Sequence, residues 1–149
     1  MSNYVTMDEA TTYIGHRLGG KSWMDAEVED QEASLTMATQ SIDNMRYVGQ
    51  FAVANQEHAF PRQIWYGGTK EYKTQSVVPQ VVKDACCEEA WFLQKYGNNE
   101  RIVMQALGVR RASREGVAEE YIGVDRGLLS PVARALLRRW FAGGVPLQR

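Results

Sequence analysis

The 149-residue sequence predicts a mainly α protein: a small helical bundle with a long inter-helix loop, a β-hairpin near the C-terminus and a C-terminal helix and tail. Three observations lead there. Apolar residues recur at three- and four-residue steps in several separate segments. Caps and stop signals bracket those segments. No internal repeat, low-complexity tract or run of eighteen apolar residues competes with a single globular domain, and at this length one domain with a real core is the expected outcome.

The first helix begins after Thr6, whose hydroxyl can cap the backbone while Glu9 reaches back from the third helical position. It should run from Met7 to about Leu18 and stop at Gly19-Gly20, with Trp23 plugging the core beyond the turn. A second helix, about Glu27 to Met45, carries Val28, Leu35, Ala38, Ile42 and Met45 as its apolar stripe, and acids at its start suit the helix dipole. From Tyr47 to Val77 the periodicity disappears. A segment of that length without regular structure is uncommon in a compact domain and is often functional or an assembly contact. Phe60, extended because Pro61 follows it, and Trp65 are expected to pin this loop to the helices, leaving the Gly67-Gly68 tip exposed.

Pro79 opens the third helix, where its missing N–H is harmless, and Val82, Ala85 or Cys86, Glu89 or Ala90 and Leu93 continue the stripe to about Tyr96-Gly97. A short helix over residues 98–107 should follow, capped by Asn98 or Asn99. Val109–Ser113 and Val117–Ile122, flanking Arg114-Glu115-Gly116, read as a β-hairpin. Ser130-Pro131 caps a last helix from Val132 to about Phe141, apolar on one side and bearing Arg134, Arg138 and Arg139 on the other. So short a helix needs something to pack on, either its own core or another chain.

Charge divides the chain at the same place as the pattern. Residues 1–108 hold nine Lys/Arg against fourteen Asp/Glu, whereas residues 109–149 hold eight Arg and no Lys against four acids, so the two parts carry −5 and +4. Two parts are accordingly expected: a helical domain over 1–108 containing the loop 47–77, and an assembly segment over 109–149. An Arg-only basic segment suits fork-like pairing with carboxylates or phosphates at an interface, or simply a solvated helix face.

Little in the sequence points to chemistry. His16 and His58 lack ligands at metal spacing, Cys86-Cys87 lacks the CxxC spacing, and the adjacent cysteines read as reduced, small apolar residues, so no metal, cofactor or catalytic residue is expected. The chain is not expected to be an enzyme or to enter a membrane. Single-stranded DNA binding needs a positive groove interleaved with stacking aromatics. Trp65, Tyr66, Lys70, Tyr72 and Lys73, with the C-terminal arginines, Trp140 and Phe141, supply pieces of one on an otherwise acidic chain.

An ordered series of short motifs remains: Tyr4-Val5-Thr6, Glu9-Ala10, Tyr13, Trp23, Glu32-Ala33-Ser34-Leu35, Ala38-Thr39, Ile42-Asp43, Phe60-Pro61-Arg62, Val78-Pro79, Val82-Lys83-Asp84-Ala85 and Glu88-Glu89. In this order the set resembles the head-to-tail connector (adaptor, head completion) proteins of tailed double-stranded DNA phages, some of which carry the label DnaT-like single-stranded DNA-binding protein. The resemblance covers residues 4 to about 96 and extends weakly to Leu129-Ser130-Pro131 and Ala135-Leu136-Leu137. It implies a virion protein, made in the host bacterial cytoplasm and placed at the head–tail junction. There a homo-oligomeric ring, commonly a dodecamer, would sit beneath the portal, extend the channel for the packaged DNA and dock the stopper or tail. It implies portal docking through Val132, Arg134, Leu136, Leu137, Arg138, Arg139, Trp140 and Phe141, and a tail or neighbour contact through Trp65, Tyr66, Gly67, Gly68, Lys70 and Tyr72. The alternative function is single-stranded DNA binding.

Overall fold

The computed structural model describes residues 2–97, 111–114, 117–120 and 129–142. The expected helix over 98–107 lies outside the described residues. About half of those described are helical, and a small three-stranded antiparallel sheet accompanies the helices. The architecture is therefore mixed, and the sheet occupies the stretch expected to be an irregular loop.

Helix α1 (Met7–Gly15) begins in the expected capping box. The Glu9 amide donates to Thr6 Oγ1 at 3.2 Å, and the Thr6 amide donates to the Glu9 carboxylate at 2.8 Å. The helix stops earlier than the periodicity indicates, with His16 as its C-cap, and a turn holding Gly19 at φ +83° leads to the short α2 (Lys21–Met24). Trp23 of α2 is fully buried, as expected. Helix α3 (Val28–Asp43) turns Leu35, Ala38, Thr39 and Ile42 inward. Val28, expected on that stripe, lies on the same face as the buried Gln31 and Leu35 but is exposed at the first position of the helix.

Strands β1 (Gln50–Phe51), β2 (Arg62–Tyr66) and β3 (Glu71–Thr74) then form a sheet in that order, with Gln50 opposite Gln63 and Trp65 opposite Tyr72. Gly49, at φ +77°, precedes β1, and a Cβ there would lie 2.2 Å from the Gln63 carbonyl oxygen, so only glycine fits. Helix α4 (Gln80–Tyr96) follows Pro79 and packs along α3, burying Val82, Ala85, Cys86, Glu89 and Ala90. The hairpin expected near the C-terminus is present as β4 (Arg111–Arg114) and β5 (Val117–Glu120), with Arg114 paired to Val117. Ser130 caps α5 (Pro131–Leu137), which continues into a single 3₁₀ turn, Arg138–Trp140.

Where this last helix packs settles the choice left open by its sequence. Ala133, Leu137 and Trp140 are buried in the same core as α1, α3 and α4. Backbone bonds from Val48 N to Trp140 O (2.7 Å) and from Ala142 N to Arg46 O (3.0 Å) stitch the C-terminal segment beside the chain leaving α3. The C-terminal helix thus shares the core of the helices that precede it. Among the described residues no helix is long and apolar enough to cross a membrane.

Candidate functional site

The quoted motifs converge first on a structural hub. Asp43, at the end of α3, accepts hydrogen bonds from the Tyr4 hydroxyl and from the Ala59 amide (2.8 Å), and pairs with His58 Nδ1 at 2.8 Å. The Phe60 amide donates to the Tyr4 hydroxyl at 3.2 Å. Burial, followed by the bond to Asp43, pushes the Tyr4 phenol well above its ordinary range, so it stays a neutral donor. Tyr4, Ile42-Asp43 and Phe60-Pro61-Arg62 thus join three distant stretches of chain at one place.

Arg62 is the other half of the hub. It is buried, yet its guanidinium meets main-chain carbonyls: Val48 O at 2.8 Å, Gly49 O at 2.9 Å and Ala59 O at 3.0 Å. The rings of Tyr47, Phe51 and Phe60 lie 5.7, 5.7 and 6.0 Å from it, where cation–π attraction operates. Burial lowers its pKa, but a guanidinium at a fixed fork of carbonyls stays charged. Phe60 is buried as expected and touches Tyr47 and Trp140 at centroid distances of 4.7 and 5.2 Å.

Ser2 Oγ lies 2.9 Å from His58 Nε2, which with Asp43 makes a Ser–His–Asp chain of contacts. The same hydroxyl donates to Glu57 Oε2 at 2.8 Å. Because the Ser2 O–H is directed at that carboxylate, it is not given to the ring as an activated nucleophile requires. Among the described residues no cluster of His, Cys, Asp or Glu could hold a metal ion.

The hub supports an arm. Beyond Ile64, the last buried residue of β2, the hairpin of β2 and β3 leaves the body, and residues 65–74 are all exposed. Trp65, expected to anchor this segment, is half exposed instead, because its side of the strand has only Tyr72 to meet, at 4.8 Å between ring centroids. The other face of the arm carries Tyr66, with Lys73 Nζ 5.4 Å from its ring centre. Gly67 and Gly68 form the tip, exposed as expected, with no atom near either position where a Cβ would sit. Lys70 is held at φ +51°, a conformation non-glycine residues rarely adopt, at the turn back into β3. The structure thus gathers Trp65, Tyr66, Gly67, Gly68, Lys70 and Tyr72 on one projecting element.

The C-terminal candidates are divided. Leu137 and Trp140 are core residues, Leu136 and Phe141 are partly buried against that core, and Phe141 stacks on Tyr47 at 5.6 Å. Leu137 and Trp140 cannot anchor a partner without the subunit opening. Val132, Arg138 and Arg139 are exposed, and Arg134 lies over the Phe141 ring at 5.9 Å.

A groove that no sequence motif marks lies between α1 and the first half of α4. It is an open trough of about 450 Å³ with a largely apolar surface, lined by Val5, Tyr13 and Cys87 at its buried side and by Asp8, Glu9 and Asp84 at its rim. Lys83 pairs with Glu9 across it at 2.7 Å, which holds the Glu9 carboxyl below its usual range. Burial pushes the Cys86 thiol up to about 12 and that of Cys87 higher still, so neither is a nucleophile at neutral pH.

Fold and surface together define a small mixed helical protein that exposes Trp65, Tyr66 and Tyr72 on a β-arm. A family model described as "Putative DnaT-like ssDNA binding protein" matches residues 2–146, almost the whole chain, and the chain belongs to that family. No curated protein and no solved structure matches it.

Proposed function

We propose that this chain is a structural subunit of a tailed-phage virion, the head-to-tail adaptor. It would form a homo-oligomeric ring beneath the portal, extend the channel for the packaged DNA and present a docking surface to the stopper or tail. The observation that carries the reading is the arm: Trp65, Tyr66 and Tyr72 are exposed beside Lys70 and Lys73 on an element the subunit's own core does not use. Large aromatics beside cations are the usual anchors of protein interfaces. The motifs that resemble connector proteins agree with this, because they build the hub from which the arm projects. A net charge of −1 suits a channel through which DNA slides without being gripped. On this reading portal contact falls to Val132, Arg138 and Arg139, the exposed members of the C-terminal set.

The family description favours a second reading, single-stranded DNA binding, and the same arm would be its stacking platform, with Lys70 and Lys73 facing phosphate. Fluorescence anisotropy of a labelled oligonucleotide, titrated at two salt concentrations, separates the readings. The adaptor predicts no saturable binding near physiological salt together with co-sedimentation on the portal of the same phage. Micromolar binding that falls steeply with salt, without portal association, would reject the adaptor and establish the second reading.

A further inference from the structure

We infer that the β2–β3 arm of one subunit seats in the α1–α4 groove of a second copy of the same chain. The inference rests on the ring reading above and names the contact that would build the ring. Its two halves fit in shape and in charge. The groove is an apolar trough of about 450 Å³, room for an aromatic side chain, and the arm ends in three exposed aromatics. The rim carries Asp8, Glu9 and Asp84 against Lys83, and the arm carries Lys70 and Lys73 against Glu71, so acidic rim meets basic arm.

No arm residue lines the groove within one chain, so the fit is satisfied only between chains. Arm and groove are different surfaces, which makes the contact heterologous. Such a contact propagates from subunit to subunit and closes into a ring when the rotation allows. Asp8 and Thr12 are exposed on α1, so the rim is reachable from solvent. An aromatic seated there would cover Val5 and Cys87, giving the desolvated centre and charged rim of a protein interface.

Disulfide trapping tests the contact on the free full-length chain. Gly68→Cys adds a side chain where nothing lies within 4 Å, and Thr12→Cys places a thiol at the groove, while the native Cys86 and Cys87 are buried. On mixing and mild oxidation, the Gly68→Cys and Thr12→Cys chains should cross-link about tenfold faster than Gly68→Cys with Met37→Cys, on the exposed side of α3. Adding Trp65→Ala and Tyr72→Ala to the arm chain should return the rate to that control. A rate equal to the control from the outset, or one indifferent to loss of the two rings, overturns the inference. Protection of the Gly68→Cys thiol from alkylation by an oligonucleotide, with no trapping, also overturns it and assigns the arm to DNA. Trapping is scored without portal: a trapped pair that never binds portal retains the self-contact and removes the adaptor role, and portal binding without trapping does the opposite.

Discussion

Trp140 and Trp65 have similar surroundings in the sequence, each followed by another aromatic residue and each close to basic side chains, yet one is a core residue and the other faces solvent. Trp140 ends a helix whose apolar side meets α4, and its carbonyl is bonded to Val48, so the backbone itself holds the ring against Phe60. Arg139 lies over the outer face of that ring, 4.3 Å from its centre, and covers what the core leaves open. Trp65 sits where β2 has already left the body, with one ring beside it and solvent around the pair. What a segment packs against decides burial, and composition alone does not report it. On the proposed reading, the exposed tryptophan is the one available to a partner.

Four variants probe this difference. Trp140→Ala should have the largest effect, about 3 to 5 kcal/mol of lost stability, because it empties the junction of Tyr47, Phe60 and Leu137. Chemical denaturation followed by circular dichroism measures it, and a loss below 1 kcal/mol would mean that the C-terminal helix is not part of the core. Arg62→Lys comes next, at roughly 2 kcal/mol, since an ammonium cannot span the carbonyls of Val48, Gly49 and Ala59 and leaves some of them buried and unpaired. The same titration reads it, together with faster hydrogen exchange at the base of the arm.

Glu89→Gln tests how the C-terminal helix is held. The buried Glu89 carboxyl accepts a hydrogen bond from the Ser130 amide at 2.6 Å at the start of α5, and burial raises its pKa above the ordinary carboxylate range despite that bond. A raised carboxyl binds its proton more tightly in the folded state, so its contribution to stability is present below the unfolded pKa and is lost as pH rises through the folded one. Wild type should therefore lose stability from this group as pH climbs above about 4.5, and Glu89→Gln should remove that part of the slope in denaturation midpoints across the range. An unchanged slope would show that the carboxyl is not desolvated. The smallest effect belongs to Trp65→Ala with Tyr72→Ala, which should change stability by no more than about 0.5 kcal/mol each, as exposed positions do. A loss as large as that of Trp140→Ala would erase the distinction between the two regions.

Most helices were legible in the sequence because each has one buried side, and burial is what periodicity records. Thr6 with Glu9, Pro79 and Ser130 marked three starts correctly, since capping is a local matter. The sheet was not legible. In β2 only Arg62 and Ile64 are buried, and β3 is exposed throughout, so an arm with solvent on both faces shows no alternation. Arg62 was missed as a structural residue because a buried cation held by carbonyls has no partner acid to announce it. The six arm residues stand out in the sequence as a candidate contact surface, whereas the anchoring role also expected of Trp65 fails because its ring is half exposed. The groove was invisible for another reason: Asp8, Thr12 and Asp84 belong to two helices far apart in the chain, and only the packing of α1 on α4 brings them together.

The most direct test of the adaptor role is negative-stain microscopy of the chain mixed with the portal ring of its phage, beside the chain alone and the chain with a single-stranded oligonucleotide. An added layer of density on the outer end of the portal is the predicted result, and Arg138→Glu, at an exposed position, should weaken it while leaving the fold intact. A bare portal, with the protein instead coating the oligonucleotide, would contradict the account and make the arm a DNA-binding platform.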